Sequence, residues 1–259
     1  MRRWPAWLAL LGAALLAPPS PGGPPEMDPA NTASWILPNA DLYDVDARGD
    51  RAWAVGYWGT VLRSSDAGAS WSPEATPTAQ TLYAVSFADE SHGWAVGDHG
   101  TLLHSVDGGL SWKLLQVSVV DELEGEQPLA APLFDVSAVS AQEAWAVGDF
   151  GTVLRTRNGR DWEQVRLPED VFADENIPDR ILNAVCFTDR LHGWIVGEFG
   201  TSLRTTDGGQ TWVGQRSLSG VPEDVYLMAL AAEPQGTAVA VGVGGVVIQT
   251  TDAGASWTA

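Results

Sequence analysis

Arginine recurs at one position of a repeated sequence phrase, in a chain that is otherwise strongly acidic. The chain has 259 residues, with 33 Asp and Glu against 14 Lys and Arg. The recurring arginines are Arg63, Arg155 and Arg204, and His104 and Gln249 take the same position in two further copies. A planar guanidinium binds a carboxylate through two parallel hydrogen bonds, so arginines at equivalent positions can recognise acidic groups of a partner. Pairing with acids of the same chain is the alternative, and the sequence leaves both interpretations open.

A second equivalent position carries aromatic rings beside carboxylates. It is the third residue of a G-x-x-G phrase, and an acidic residue precedes it in three copies. The rings belong to Trp58, His99, Phe150 and Phe199. Exposed aromatic side chains anchor many protein interfaces. We predict that Trp58, Phe150 and Phe199 belong to a partner-binding rim, the alternative being that these rings only cap the ends of the repeated units.

A third recurring group is an aspartate in the phrase S/T-x-D-x-G-x-S/T-W, the Asp box. The phrase is complete at residues 64–71, 105–112, 205–212 and 250–257, and the remaining copy is one residue shorter, with Asn in place of Asp. A carboxylate at this position accepts hydrogen bonds from N–H groups of its own turn. We therefore predict a structural role, and not metal binding or catalysis, for the Asp-box residues. These are Asp66, Asp107, Asn158, Asp207 and Asp252.

Five repeats organise these groups. The closing tryptophans of the Asp boxes are spaced 41, 50, 50 and 45 residues apart. Each repeat has four strand-like runs: one that begins with Leu, a W-A-V-G run, a G-T-x-L run, and one opened by the closing Trp. Such a sheet must stack on its neighbours to bury both faces. The repeat predicts an all-β fold, a β-propeller of about five four-stranded blades with tryptophans in its core. The G-x-x-G phrase predicts a two-residue hairpin whose glycines supply positive φ angles.

The arginines that a sialidase requires are missing from the predicted inner strands. A sialidase combines a tyrosine nucleophile with acids and arginines near the axis, whereas the Leu-initiated runs contain Tyr43 and Tyr83 but no arginine. His92 and His192 belong to a turn phrase, which leaves too few histidines for a His-rich metal site. We predict no catalytic residue, no cofactor and no metal site. The formal charge of −19 also argues against nucleic acid as a partner.

Two connections between repeats are rich in acidic residues. They span residues 116–132 and 163–180. The spacing of their carboxylates does not match an EF-hand loop. We therefore predict solvated loops, with loose calcium binding as the less favoured alternative.

The N-terminal 25 residues have the pattern of an export signal and a linker. Two arginines precede an apolar stretch from Trp4 to Ala17, and a Pro/Gly-rich segment follows it as far as Pro25. The stretch is shorter than the roughly 20 residues of a membrane-spanning helix. We predict a signal peptide and linker at 1–25, a propeller at 34–259, and a location in the periplasm or outside the cell. Cys186 is the only cysteine, so the chain has no intramolecular disulfide.

The extended phrase around two repeats resembles a known family. Residues 91–112 read SHGWAVGDHGTLLHSVDGGLSW, and residues 189–212 follow the same pattern. The Asp box resembles the bacterial neuraminidase repeat, and the longer phrase is similar to the photosystem II stability and assembly factor family. The resemblance implies a non-catalytic propeller that acts as a protein-binding scaffold or assembly factor for a membrane complex, with an arginine-rich patch, in the thylakoid lumen of a photosynthetic organism. A glycan-binding or sialidase-like propeller is the alternative.

The number of blades is a separate question, because that family typically builds seven. Residues 34–38 resemble a fourth strand with no blade in front of it, while the last repeat reaches only the beginning of its own fourth strand. Two interpretations follow. Residues 34–38 complete the last blade of a closed five-bladed ring, or the chain is a truncated relative of a seven-bladed propeller. In either case we expect a monomer that binds a protein partner.

Overall fold

The structure, a computed structural model, describes residues 40–121, 125–167, 180–214, 225–234 and 236–259. These ranges form five antiparallel sheets in chain order, called blades 1 to 5, and one separate hairpin. Blade 1 contains β1 (Leu42–Arg48), β2 (Arg51–Gly56), β3 (Val61–Ser64) and β4 (Ser72–Glu74), and blade 2 contains β5 (Leu82–Phe87), β6 (Gly93–Gly97), β7 (Leu102–Ser105) and β8 (Lys113–Leu114). The hairpin contains β9 (Ser118–Asp121) and β10 (Gly125–Pro128).

The remaining blades repeat this order. Blade 3 contains β11 (Leu133–Ser140), β12 (Glu143–Gly148), β13 (Val153–Thr156) and β14 (Trp162–Gln164), and blade 4 contains β15 (Leu182–Phe187), β16 (Gly193–Gly197), β17 (Ser202–Thr205) and β18 (Val213–Gly214). Blade 5 contains β19 (Leu227–Glu233), β20 (Thr237–Gly242) and β21 (Val247–Thr250). A single bridge between Gln249 and Thr258 stands where the other blades have a fourth strand. The predicted all-β propeller of five repeats is confirmed.

Some predicted segments lie outside the described residues, and one described connection differs from its prediction. The signal and linker at 1–25, the strand-like segment 34–38 and most of the connection 163–180 lie outside the described residues. The choice between a closed ring and a truncated propeller therefore stays a prediction. The connection 116–132, expected to be a solvated loop, instead contains the hairpin of β9 and β10. Val117 and Leu129, which flank this hairpin, are buried in the cluster between blades 2 and 3 and anchor it there.

The core lies between the blades, because successive side chains of each second strand point to opposite faces. On β2, Trp53 and Val55 face blade 2 and pack on Leu82 and Val85 of its inner strand. The equivalent tryptophans of blades 2 to 4 repeat this contact with the next blade, as predicted. Each of these four tryptophans is at most 1% exposed, and truncating such a side chain to alanine typically costs about 3–5 kcal/mol.

Blades alternate between two ways of filling this interface. In blades 2 and 4 the last inner-strand position is Phe and its cross-strand partner is Gly, whereas blades 1, 3 and 5 have Ala at both positions. The Phe87 ring stacks on Trp53 of the preceding blade, with ring centroids 3.5 Å apart. A Cβ at Gly93 would lie 2.5 Å from Phe87 Cγ. The H-G-W phrase therefore has a packing origin: its glycine makes room for the phenylalanine.

Short polar side chains of the inner strands also join neighbouring blades. Each accepts a hydrogen bond from a backbone N–H of the next inner strand, which would otherwise be a buried donor without a partner. The Asp135 carboxylate accepts bonds from Val136 N (2.7 Å) and Val185 N (2.8 Å), and burial raises its pKa to about 7. Other donor and acceptor pairs are Phe87 N with Asp46 Oδ2 (2.7 Å), Ala138 N with Ser86 Oγ (3.1 Å), and Phe187 N with Ser137 Oγ (3.0 Å).

Candidate partner-binding face

The turns between second and third strands gather at one end of the blades, here called the tip face. Each turn is tied to the residue before the inner strand of its own blade. Tyr57 N donates to Asp41 O at 2.9 Å, and Asp98 N donates to Thr81 O at the same distance. The turn tips and the beginnings of the inner strands therefore lie side by side.

Glycine is required at the first position of each G-x-x-G phrase, but not because of the predicted positive φ angle. Gly56 and Gly97 have φ angles of −172° and −173°, which is extended backbone that any residue adopts. A Cβ at Gly97 would overlap the carbonyl oxygen of Thr81, to which the turn is bonded. Only the last glycine of the phrase, such as Gly59 with φ +68°, supplies the expected positive angle. The first glycine is thus required for the close approach of two backbone segments.

Four aromatic residues occupy the left-handed region at the turn tips. Their φ angles lie between +52° and +55°, a region that bulky residues avoid at a cost of about 1 kcal/mol or more each. Blade 5 has Gly244 at this position, with φ +77° and no such penalty. The four residues are Trp58, His99, Phe150 and Phe199. Strained positions of this kind are concentrated at functional sites, which makes the tip face the first candidate for function.

The rings at the tips are available to a partner to different degrees. Trp58, His99 and Phe150 are exposed, and Tyr57 adds a second exposed ring 4.8 Å from Trp58. Phe199 is half-buried, with the Tyr226 ring 5.3 Å away. The structure therefore brings all the predicted rim residues to one face, and their binding role stays a prediction.

A row of aromatic rings on the inner strands extends the same face, and the sequence interpretation missed it. Tyr43, Tyr83 and Phe134 are the second residues of three successive inner strands. Their ring centroids are 5.8 Å apart from Tyr43 to Tyr83 and 5.7 Å apart from Tyr83 to Phe134. Burial, followed by the neighbouring Asp98 carboxylate, raises the pKa of Tyr83. The repeated pairs Leu-Tyr, Leu-Tyr and Leu-Phe at the strand starts were the signal available in the sequence.

Carboxylates lie beside the aromatic rings of the tip face, and the Arg180 guanidinium lies 5.8 Å from the Phe199 ring. Asp98 and Asp149 accept hydrogen bonds from the N–H groups of the aromatic residues that follow them, at 3.0 and 2.9 Å. Asp98 also lies 3.0 Å from Nδ1 of His99. Glu198 accepts from Ile181 N at 3.3 Å. These bonds hold the carboxylates beside the rings, so the face presents apolar surface bordered by negative charge.

The three recurring arginines do not join this face. Arg63 donates from Nε to the carbonyl of Gly108 (2.9 Å), in the Asp box of blade 2, and Arg204 donates to the carbonyl of Ala253 in the Asp box of blade 5 (3.3 Å). Arg155 donates from Nε to Glu163 of its own blade (3.0 Å), and its guanidinium lies over the Trp145 ring. Each guanidinium therefore has a partner within the protein, and a bound carboxylate would compete with it.

His104, which replaces arginine at this position in blade 2, also packs inside the protein. Its ring stacks on Trp94, with centroids 4.9 Å apart. Burial is the main cause that lowers the pKa of His104 to about 4, so the ring is neutral at physiological pH. This histidine contributes packing and no positive charge.

The Asp boxes lie at the opposite end of the blades, here called the Asp-box face. In the first box, Asp66 Oδ1 accepts from Ser64 Oγ and from Ser70 N, both at 2.8 Å, while Gly68 N donates to Ser64 Oγ at 2.9 Å. The side-chain bond from Ser70, together with these others, lowers the pKa of Asp66 to about 2. In the shorter box, Asn158 Oδ1 accepts from the N–H groups of Arg160 and Asp161. Every box residue is thus engaged with its own turn.

The described residues hold few groups suited to catalysis. They contain no cluster of three or more His, Cys, Asp or Glu arranged for a metal ion. Strand β1 extends beyond the predicted run and includes one arginine, Arg48, which donates to the carbonyl of Phe87 at 2.8 Å. Burial raises the pKa of the Cys186 thiol to about 11, so this half-buried cysteine is a poor nucleophile.

The sequence matches the family model described as photosynthesis system II assembly factor YCF48, over residues 71–176 and 172–259. The chain belongs to this family. The resemblance found in the repeated phrases is confirmed, and with it membership of a family of assembly factors. Among curated proteins none matches the chain. In the described ranges no helix is long and apolar enough to cross a membrane.

Solved structures of assembly factors and of glycoside hydrolases are similar to this chain. A structure described as YCF48 bound to D1 peptide is 19% identical, with 85% of this chain and 80% of that chain covered and a TM-score of 0.46. An ancestral GH74 enzyme is 18% identical (83% and 30% covered, TM-score 0.60), and the GH74 xyloglucanase from Xanthomonas campestris is 16% identical (84% and 38% covered, TM-score 0.55). The GH74 likeness shows the β-propeller fold alone, since this chain spans about a third of those enzymes.

Proposed function

We propose that this protein is a non-catalytic assembly scaffold that binds a protein partner through its tip face. The observation that carries the proposal is the set of four aromatic residues in the left-handed region. Glycine at these positions would remove the strain, as Gly244 does in blade 5. A fold that keeps the rings in spite of their cost to stability uses them for something other than folding.

The chemistry of the face describes the partner. Exposed rings at the tips, with the row of Tyr43, Tyr83 and Phe134 beside them, offer apolar surface for aliphatic or aromatic side chains. The bordering carboxylates favour a segment that also carries Lys or Arg, because complementary charge steers encounter and fixes register. Family membership supports a photosystem II subunit as this partner, met in the periplasm or the thylakoid lumen after export.

A second contact through the recurring arginines is part of the same proposal. Arg63, Arg155 and Arg204 are half-buried and bonded within the protein. A partner carboxylate would replace carbonyl or glutamate acceptors that are already in place, so this contact contributes less affinity than the tips. We therefore rank the arginines below the aromatic rim.

The test uses the full-length tagged protein, expressed in its own organism in place of the wild-type gene. We expect photosystem II subunits to be captured with the wild-type chain and lost with the triple variant W58G/F150G/F199G. The matched control is L110A, which removes an exposed apolar side chain on the Asp-box face. A second variant, R63Q/R204Q, reports on the arginines. Unchanged capture by the triple variant, with the variant still folded, would refute binding through the tip face.

Glycan binding remains a second candidate because of one observation. The rings of Tyr43, Tyr83 and Phe134 form a row with centroid spacings of 5.8 and 5.7 Å, and sugar rings can stack on aromatic side chains. Titration calorimetry with xyloglucan oligosaccharides and sialosides tests it directly. Saturable binding that Y43A/F134A abolishes would favour this candidate, and turnover of either substrate would overturn the non-catalytic assignment.

A further inference from the structure

A cavity of about 360 Å³ lies between blades 3 and 4 at the Asp-box face. Each blade contributes its Asp box and the turn between its first two strands. The lining is almost entirely polar, and only Leu191 and Gly208 lack a polar side chain. Sites for small molecules have volumes of roughly 300–1,000 Å³, so this cavity has room for a small polar ligand.

The cavity depends on the reversal of an ion pair that joins neighbouring blades. Between blades 1 and 2, Arg51 lies 3.5 Å from Glu90 and covers Gly108, where a Cβ would lie 2.9 Å from Nη1 of the arginine. Between blades 3 and 4 the equivalent pair is Glu143 and Arg190, with 3.7 Å between Oε2 and Nε. The positions of the two pairs are equivalent, and the signs of their charges are exchanged.

This exchange leaves the space beside Gly208 open. Gly208 is the equivalent of Gly108, and the glutamate that faces it is shorter than an arginine. Apart from its own neighbours in the chain, no described side chain lies within 4 Å of the position that a Cβ would take at Gly208. The corresponding space between blades 1 and 2 is filled by Arg51, so the cavity is a property of the residues at this one interface.

Arg157 supplies an uncommitted positive charge to the cavity. It is the exposed second residue of the shorter Asp box, and its guanidinium makes no hydrogen bond or ion pair with any described residue. Arg190 is held by its pair with Glu143 and by a long bond of 3.5 Å to Ser140 Oγ. Guanidinium groups bind carboxylates through paired hydrogen bonds. Two such groups in one lining make the cavity suited to a carboxylate.

Hydrogen-bond acceptors beside these cations narrow the class of ligand. Gln210 Nε2 donates to the carbonyl of Asp207 at 2.9 Å, which leaves its amide oxygen to accept. The Glu143 carboxylate is a second acceptor, whereas the Asp207 carboxylate is committed to Thr205 and Thr211 of its own turn. Hydroxyl groups are the donors that such acceptors bind. The cavity therefore suits a ligand that carries hydroxyl groups beside its carboxylate.

The balance of charge in the lining limits the charge of the ligand. Arg157 and Arg190 are offset by Glu143 and Asp207, so the formal charge of the lining is zero. A dianion such as phosphate would meet two fixed carboxylates and the charge of −19 on the whole chain. A single carboxylate makes the same contacts with the arginines at a lower cost in repulsion.

We propose that this cavity binds a sugar acid, a molecule with one carboxylate and several hydroxyl groups, such as a uronate. Arg157 and Arg190 bind the carboxylate, and Glu143 and Gln210 accept hydrogen bonds from the hydroxyl groups. No aromatic ring belongs to the described lining, so recognition is by hydrogen bonds and not by ring stacking. The site lies at the opposite end of the blades from the tip face and does not depend on the proposed function.

The experiment is titration calorimetry of the full chain with D-glucuronate and three comparison probes. Glucose has the hydroxyl groups without the carboxylate, propionate has the carboxylate without the hydroxyl groups, and phosphate is the dianion. We expect saturable binding of glucuronate that weakens as salt is raised, and binding of each other probe that is weaker by about tenfold or more. The methyl glycoside of glucuronate separates two sources: it binds as tightly as the free acid if the natural ligand is part of a glycan, and more weakly if the ligand is a free acid.

Two variants connect this binding to the cavity. Arg157→Gln weakens glucuronate binding by about tenfold and leaves the unfolding temperature unchanged, since the guanidinium has no partner among the described residues. Arg160→Gln is the matched control, because this exposed arginine belongs to the same Asp box but not to the lining, and it keeps the affinity within about twofold. Glu143→Gln removes a repelling carboxylate and narrows the preference for glucuronate over phosphate.

Several results overturn the proposal. The first is no binding of glucuronate up to about 10 mM. The second is binding of propionate or phosphate as tight as that of glucuronate, which would contradict the assigned class of ligand. The third is an unchanged affinity in R157Q, or an equal loss in R157Q and R160Q, which would place binding outside this cavity. Capture of photosystem II subunits is not part of this test, so its failure and the failure of the tip-face proposal are distinguishable.

Discussion

The two ends of the blades solve the same problem, a tight turn between antiparallel strands, with different residues. On the Asp-box face most left-handed positions are glycines, and carboxylates satisfy the turn N–H and hydroxyl groups. On the tip face each turn has two successive left-handed positions, and the first of them is an aromatic residue in blades 1 to 4 and Gly244 in blade 5, while the second is always glycine. Left-handed residues other than glycine are limited on the Asp-box face to the small Ala67 and Ala253, whereas on the tip face they are four bulky rings. This contrast supports the proposal that the tip face is the functional one, because selection for folding alone would have relaxed both ends.

The largest expected effect concerns the first glycine of the tip turns. Gly97→Ala forces a Cβ into the Thr81 carbonyl, and we expect it to lower the free energy of unfolding by about 3 kcal/mol. Gly244→Ala is the matched control, because its position has φ +77° but free space around it. It should cost only about 1 kcal/mol. Urea unfolding followed by tryptophan fluorescence measures both, and equal effects would contradict the argument from close approach.

Removing a carboxylate from the Asp-box face should have the next largest effect. Asp107→Ala leaves Ser105, Ser111 and their turn without an acceptor, so we expect a loss of about 1–2 kcal/mol. Asp107→Asn should cost less, because blade 3 forms its turn around an Asn. Thermal unfolding of the two variants checks this order, and an unchanged unfolding temperature for D107A would rule out a structural role for the box.

Removing strain from a tip turn should raise the free energy of unfolding, unlike the two preceding substitutions. Phe150→Gly removes left-handed strain, and we expect a gain of about 1 kcal/mol in the free energy of unfolding together with weaker partner binding. Val106→Gly on the Asp-box face is the control, because this exposed residue has a negative φ and glycine there should cost about 0.5–1 kcal/mol. Destabilisation by both variants would show that the tips are not strained.

The smallest expected effect is a difference in pH dependence between two carboxylates. The Thr211 side chain and the other turn donors lower the pKa of Asp207 to about 2, so its contribution is present above about pH 4 and is lost as pH falls towards 2. Burial raises the pKa of Asp135 to about 7, so its ionisation destabilises the fold increasingly from about pH 4 to 7.

Chemical unfolding between pH 2.5 and 7.5, in steps of about half a unit, separates the two groups. D207N should flatten the curve of unfolding free energy against pH below about pH 4, because the titrating carboxylate is gone. D135N should flatten the stability curve between about pH 4 and 7. It should also lower the free energy of unfolding by a constant amount, because the Asn side chain cannot accept one of the two N–H hydrogen bonds that Asp135 accepts. Parallel curves for wild type and both variants would contradict these pKa directions.

Much of the fold follows from local sequence signals. The W-A-V-G runs, the Asp boxes and the regular spacing of tryptophans specify strands, turns and their order, because each depends on residues close together in the chain. The side-chain hydrogen bonds within the Asp boxes, such as those of Asp66, are made within four residues. The reason predicted for the first glycine of the tip turn was wrong, because its contact with the residue before the inner strand spans 15 or 16 residues of chain.

The candidate site was only partly accessible from sequence. The tip aromatics shared a position in the repeat, so their grouping could be predicted, but their left-handed backbone could not. The row of Tyr43, Tyr83 and Phe134 joins residues that are about 40 and 50 positions apart, and it forms only when blades stack. The partners of Arg63 and Arg204 likewise belong to the next blade.

The repeat, the strand order, the Asp-box turns and the buried tryptophans follow from the amino-acid sequence alone, because periodicity and turn chemistry are local and recur five times. The groups that meet across blades, the turns that carry strain and the exposed residues of blades 1 and 5 became visible only in the folded protein. Burial depends on the side chains that the neighbouring sheet supplies. Val55 and Val241 are the same residue in the same phrase, and one is buried while the other is exposed.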